Sequence, residues 1–365
     1  MTSAERVAAA VALKEPDRVP VSPFIIYHFA TVTGTSMEDF VWDVDACHRA
    51  FLKAYTYYDG LFDVMNLIPM RFAFCSTVPI LFSALYYDWR FFETEMPQFV
   101  ESTQTGPELY DSVLRMGFPV MRTYKRVNRR EVIKTMSWHL LKHLRWRNYW
   151  EKNHDVVPWQ GAISYLPAEL MLFYRGPEGF TDLIDRPAKI IEINEKYNDK
   201  IIQTTLGLAH RLHAENICIP SLKFSASMVS PGMFETFAWP WLKQQVLAYH
   251  EAGFPVILHL DGNWDPLMEY FTELPAGSAV VELDISDMFR AKRILSKRLC
   301  IKGNVAPTLL AFGSQEEVEE ACKRLIDGCA EGGGFILSSG CEAPPNSRPE
   351  NIRTMLRCAV EYGKY

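Results

Sequence analysis

From Ile217 to the C-terminus, short apolar runs alternate with helical stretches, and this alternation restricts the chain to a parallel α/β architecture. Ile217-Cys218-Ile219, Val256 to His259, Ala279 to Asp284, Leu299 to Gly303 and Gly334 to Ser338 read as strands. Between them lie helices at Gly232 to His250, Asp265 to Phe271, Met288 to Lys297, and from Ser314 to Cys329. Ser230 caps the first of these, with Pro231 at its first helical position. Ser314 and Glu317 form a capping box for the last. Pro349 to Tyr362 reads as a final helix. Strands lacking polar alternation, each followed by a helix, are covered on both faces, as in a parallel sheet.

Upstream the pattern is weaker. Val19-Pro20-Val21 leading to Phe24-Ile25-Ile26 reads as the first strand, Phe62 to Met65 as the second, and Gly161 to Ser164 as another. The aromatic-rich stretch between Arg71 and Gln160 is too long for a loop. The expected fold is therefore a (β/α)8 TIM barrel, a single domain over residues 1–365, with helical insertions in the N-terminal half around 71–160. A doubly wound open sheet is the alternative, because eight strands are not countable in the sequence. No glycine-rich phosphate fingerprint follows the first strand, which argues against dinucleotide binding. Gly332-Gly333-Gly334 precedes a strand and reads as a turn.

With 48% hydrophobic and 22% charged residues, the 365-residue chain can bury a large core. A net charge of −6 offers no nucleic-acid groove. The basic stretch from Lys134 to Lys152 is interleaved with Trp138, Trp146, Tyr149 and Trp150, and reads as an amphipathic helix or a partner-facing surface. The eight cysteines show no paired spacing, and Met1 to Pro20 lacks an apolar leader core. Reduced cysteines and a cytoplasmic location are expected. No apolar stretch is long enough to span a membrane.

The chemistry is concentrated in His259-Leu260-Asp261-Gly262 and, far downstream, Gly340-Cys341. Each ends an apolar strand, so imidazole, carboxylate and thiolate stand at the carboxyl ends of two strands. His259, Asp261 and Cys341 make a three-ligand site for a borderline metal such as zinc, with a fourth position left open for chemistry. Asp261 has two other readings, as a residue orienting His259 or as the end of a strand at an Asp-Gly turn. A barrel gathers its active groups at this rim. There the sequence also places Tyr27, His28, Asn66, Ser164, Ser221, Lys223, Glu282, Asp284, Asn304 and Glu342.

These residues resemble the uroporphyrinogen decarboxylase superfamily, which also contains cobalamin-dependent methyltransferases. The resemblance rests on Arg18-Val19-Pro20-Val21, Ser227-Met228-Val229-Ser230-Pro231, His259-Leu260-Asp261-Gly262-Asn263 and Gly340-Cys341-Glu342-Ala343-Pro344-Pro345, followed by Arg348-Pro349-Glu350-Asn351-Ile352. The terminal segment is similar to the methyltransferase branch, whose zinc motif is His-x-Cys with a distant Cys. His259 and Cys341 match its first and last positions, and Asp261 stands where the middle Cys would be. A carboxylate is a harder ligand than thiolate and leaves the metal more Lewis-acidic. The decarboxylase branch carries a basic N-terminal loop for a polycarboxylate, whereas this chain reads Phe24-Ile25-Ile26-Tyr27-His28-Phe29-Ala30, neutral and aromatic.

The resemblance implies a metal-assisted methyltransferase of the O-demethylase type. It would move a methyl group between a small methylated aromatic and the cobalt of a corrinoid protein. No Asp-x-His-x-x-Gly signature occurs, so the corrinoid is expected on a partner. Glu282 and Asp261 are the expected catalytic carboxylates, with Glu282 as a metal ligand in place of Asp261, as an acceptor behind a ligand, or as a proton donor. Tyr27, His28, Phe29 and Asn304 are the expected substrate contacts. A metal-free decarboxylase or lyase on the same fold is the alternative. The direction of transfer and the oligomeric state, a homodimer included, stay open.

Overall fold

The computed structural model describes residues 1–66, 88–90, 98–100, 105–118, 141–142, 144–158 and 161–365. Its strands are β1 (Val64–Met65), β2 (Asp88–Arg90), β3 (Gln98–Val100), β4 (Val157–Pro158), β5 (Gly161–Ile163), β6 (Asn216–Ser221), β7 (Val256–Leu260), β8 (Ala279–Leu283), β9 (Cys300–Val305) and β10 (Phe335–Ser339). The last six form one sheet in the order β10-β9-β8-β7-β6-β5, parallel throughout. β1 and β4 form a second parallel pair.

Residues 19–22 join the two sheets into a ring. Val21 bridges Leu337 in parallel. The Leu337 N–H donates to Pro20 O and the Ser22 N–H to Leu337 O, both at 2.9 Å, while the Asp63 N–H donates to Val21 O at 3.1 Å. On the far side, β4 pairs with β1, and β5, next among the described residues, pairs with β6. The staves are therefore residues 19–22, β1, the β4–β5 segment and β6 to β10, which make a (β/α)8 barrel. The first stave shows little strand character, because one bridge, Val21 to Leu337, ties it to β10 and backbone hydrogen bonds to Val21 O tie it to β1.

Part of the insertion expected around 71–160 lies outside the described residues, and so do Trp138 and Cys75. Its described parts hold an antiparallel ribbon of β2 and β3 as well as helices at Glu108–Met116 and 144–153, so it is not purely helical. Trp150 is fully buried. Trp146 stacks on His48, with 4.8 Å between ring centroids. Two of the interleaved aromatics thus pack inward. The helix opened by Ser230 splits into Pro231–Phe237 and Trp239–Glu251. Pro240 has no amide hydrogen to continue the ladder, so the chain breaks at Ala238. The seven described cysteines are all free.

Side chains alternate along each stave, and the two faces bury different cores. Leu258, Val281, Leu283, Ile301 and Leu337 belong to the large cluster shared with the surrounding helices. Val280, Cys300 and Ile336 form a separate inner cluster with Ala10 of α1 (Ser3–Val11). Val64 and Ile257 form another, packed against Val7. Helix α1 thus plugs the N-terminal end of the barrel. Its start is fixed by a capping box between Thr2 and Glu5. The Gly332–Gly334 turn accommodates the chain leaving α1. Gly333 has φ +74°, and a Cβ there would lie 2.4 Å from the Lys14 carbonyl.

Asp63 ties this end together. It is fully buried and accepts from Arg6 Nη1 at 2.6 Å, Arg18 Nη1 at 2.7 Å, the Val21 N–H at 2.9 Å and Ser3 Oγ at 3.0 Å. One carboxylate joins the plug, the first stave and β1. Asp63→Ala would leave two guanidinium groups without this partner, at a cost of about 3–5 kcal/mol. A urea-unfolding midpoint equal to that of the parent protein would contradict this assignment.

Candidate metal centre

Going up the inner face, apolar residues give way to polar ones two positions later. Ile257 is followed by His259, Val280 by Glu282, Cys300 by Lys302, and Ile336 by Ser338. His259 lies opposite Glu282 across the β7–β8 pair, and Glu282 lies opposite Lys302 across β8–β9. In a parallel sheet, directly opposed residues project to the same face. The three side chains therefore meet inside the barrel.

They form a continuous chain of contacts. Lys302 Nζ lies 2.6 Å from Glu282 Oε1. Glu282 Oε2 lies 2.9 Å from His259 Nδ1. That leaves His259 Nε2 facing the rim, 3.3 Å from Asp261 Oδ1, and Cys341 Sγ lies 3.5 Å from the same oxygen. The donor atoms of His259, Asp261 and Cys341 all lie within 4.8 Å of one another. One nitrogen, one oxygen and one sulfur fit a borderline divalent cation such as zinc. Engagement of the other ring nitrogen by a carboxylate is the usual way a ligating histidine is oriented.

The rim loops hold these donors. After β7, Trp264 Nε1 donates to Asp261 O at 2.9 Å, and the Gly262 N–H donates to Asp284 Oδ2 at 3.1 Å. After β10, a Cβ on Gly340 would lie 2.9 Å from Asp284 O, so glycine lets the chain pass close before Cys341. The Ala343 N–H donates to Phe24 O at 2.8 Å. Phe24 meets His259 edge-on, with centroids 5.5 Å apart. Asp261 keeps 34% of its side chain exposed, against 14% for His259, so the trio opens toward solvent.

The charges are strongly coupled. Burial opposes ionisation of Glu282, but the Lys302 ammonium and His259 outweigh it and hold the carboxyl down at about 2. Burial likewise disfavours a charged His259. The Glu282 charge and hydrogen bonds to Asp261, Cys341 and Glu282 overcome this and raise it well above the usual range. Burial also works against the Asp261 carboxylate, yet the hydrogen bond and charge of His259 lower it. The Cys341 thiol is pushed up by burial, so a cation binding there must release its proton.

The other expected residues divide. Asn304 Nδ2 donates to Asp284 O and Ser286 O, both at 2.8 Å, and so braces the loop after β8. Tyr27 reaches the site through its backbone, with its N–H 3.1 Å from Glu342 Oε1. His28 and Phe29 turn away from it. His28 is buried, with Nε2 2.6 Å from the Tyr58 hydroxyl and Nδ1 3.2 Å from Pro345 O. Phe29 packs edge-on against Phe51 and Phe62. The cause is local: His28–Thr33 is a helix seated on the helix Val44–Tyr57, where a loop at the mouth was expected. Ser164 is also buried, bonded to Gln245 at 2.9 Å and 2.7 Å from the Tyr249 hydroxyl. Lys302 is the residue that sequence reasoning missed. Its signal is a lone charge after the apolar start Cys300-Ile301 of β9.

A family profile described as "Uroporphyrinogen decarboxylase (URO-D)" matches residues 170–362, more than half of the chain. The chain belongs to the uroporphyrinogen decarboxylase family. The matched stretch contains His259, Asp261, Glu282, Lys302 and Cys341. The "Uroporphyrinogen decarboxylase" of Geobacter metallireducens is 26% identical over 204 residues, 56% of this chain and 55% of that protein. The chain thus spans about half the length of the curated relatives it matches. "Uroporphyrinogen decarboxylase 2, chloroplastic" of Oryza sativa is 35% identical over 133 residues, 35% of this chain and 32% of that one. Among solved structures, a "methyltransferase from Methanosarcina mazei" superposes with a TM-score of 0.70 at 16% identity, covering 99% of each chain. That likeness establishes a shared fold along the whole length.

Cys341→Ala should abolish zinc retention and leave the far-ultraviolet circular dichroism unchanged, because the residue lies beyond the end of β10. Metal content measured by mass spectrometry decides this. One zinc per chain in the variant would remove Cys341 from the ligand set.

Proposed function

We propose that this protein is a methyltransferase of a corrinoid-dependent system, acting on a small methylated compound of the aryl methyl ether class. The observation that carries the reading is the arrangement of His259, Asp261 and Cys341. Three different donor atoms converge at the C-terminal rim, and a buried carboxylate stands behind the histidine. His259 Nε2, Asp261 and Cys341 would hold a zinc ion, which when bound supplies Lewis acidity toward the oxygen that the methyl group leaves. The acceptor is cobalt(I) of a corrinoid carried by a separate protein.

The chain's own residues have distinct duties in this scheme. Glu282 accepts a hydrogen bond from His259 Nδ1–H and fixes the ring orientation. It is not the proton donor, because Lys302 and His259 engage both its oxygens and hold it ionised. Phe24, edge-on to His259, supplies an aromatic wall beside the donors. Tyr27 and Asn304 shape the mouth, Tyr27 through Glu342 and Asn304 through the loop after β8. The Phe24 ring beside the donors suits a small methoxylated ring, whereas a polycarboxylate would call for charge-assisted partners. Among the described residues no helix is long and apolar enough to cross a membrane.

The names of the curated relatives favour a second reading, decarboxylation of uroporphyrinogen without a metal. One assay separates the two. Zinc-loaded protein, cob(I)alamin and a panel of methoxyphenols should yield methylcobalamin, followed by its absorbance, while uroporphyrinogen stays unconsumed. Demethylation at full rate without any corrinoid would rule out the proposed mechanism. Uroporphyrinogen consumption at a comparable rate would favour the second reading.

A further inference from the structure

We infer that Lys302 is a positioning residue of the metal centre, acting through Glu282 and touching none of the three donors. The inference rests on the metal-centred reading above and adds a member to that site. Lys302 is 3% exposed, on the inner face of β9 and one stave beyond Glu282. An ammonium is costly to bury without a partner. A buried ion pair adds little net stability over an apolar pair of the same volume. The layer just below includes Ile257, Val280, Cys300 and Ile336, so apolar packing fills the barrel interior one layer down. The consequence of Lys302 therefore falls on the site and not on the fold.

The geometry shows how. Glu282 has two oxygens and two cationic neighbours in different directions, Lys302 at 2.6 Å and His259 at 2.9 Å. With Oε1 held by Lys302, the carboxylate plane is fixed and Oε2 is left to accept the hydrogen bond from Nδ1–H. His259 Nε2 is then turned toward Asp261 and Cys341, where a bound cation would displace its proton. The count of charges agrees. Glu282, Asp261 and a Cys341 thiolate carry three negative charges, and Lys302 with a divalent cation carries three positive. Removing the ammonium leaves a buried carboxylate free to rotate, with the histidine as its remaining partner in this chain of contacts.

The test is a double-substitution cycle read by zinc affinity, measured by competition with a chromophoric chelator, on the full-length protein and three variants: K302M, E282Q and K302M/E282Q. Loss of an interaction behind a ligand typically weakens metal affinity about 10–100-fold, and K302M should fall in that range. In the E282Q background the amide has no charge to balance, so the same substitution should change affinity by less than about twofold. A merely structural role for Lys302 would give the same loss in both backgrounds. If K302M does not fold, the cycle is read on K302Q, which keeps a hydrogen-bond donor at the position. Equal losses in both backgrounds, or no loss in either, overturn the role of Lys302 and leave the metal site standing. A parent protein that binds no zinc overturns both together.

Discussion

The side-by-side register of His259, Glu282 and Lys302 on three neighbouring staves is the constraint on which the candidate site depends. Each belongs to a different strand, and no local motif brings them together. Parallel pairing does so, by placing directly opposed residues on one face. A slip of one residue in β8 would send Glu282 into the outer core among the helices and bring an apolar side chain in. The outward-facing residues Leu258, Val281, Leu283 and Ile301 guard against that slip, because each is buried against the surrounding helices. Hydrophobic burial outside the barrel thus holds charged groups in place inside it.

The two ends of the barrel treat buried charge differently. At the N-terminal end Asp63 is fully buried and its oxygens accept from two arginines, a serine and a backbone amide. Its partners are all groups of the chain itself. At the C-terminal end Glu282 is similarly satisfied, yet the groups in front of it are not balanced among themselves. Asp261 receives one contact from an imidazole and one from a thiol and remains partly open to solvent. The nitrogen, oxygen and sulfur of His259, Asp261 and Cys341 lie within 4.8 Å of one another there.

Much of the C-terminal half was legible in the sequence because it is locally consistent. Apolar strands, the Ser230 and Ser314 caps and the Gly332–Gly334 turn all stand where expected. The donor trio was legible too, since His259, Asp261 and Cys341 each follow an apolar run. The first stave was read at Val19-Pro20-Val21, where one bridge joins Val21 to Leu337. Two features were not. Val157–Pro158 contains a proline, which argues against a strand, and only its pairing with β1 reveals it. The segment with His28 and Phe29 looked like a mouth because it follows a strand. Its placement depends on a helix far enough along the chain that only tertiary packing decides it.

The closure of the ring bears on the stretch that matches the family profile. Residues 170–362 contain all three donor residues but only β6 to β10 of the staves. On its own that stretch would be an open sheet with two unpaired edges, at β6 and β10. The inner face would be uncovered as well, because the plug formed by α1 lies outside it. Such edges pair readily with other chains. Cys341 would also lose the strap formed by Phe24 and Tyr27, whose backbone groups bond to Ala343 and Glu342. The N-terminal residues therefore act as a clasp. They carry none of the three donors, yet they turn a sticky half-shell into a vessel with a defined mouth.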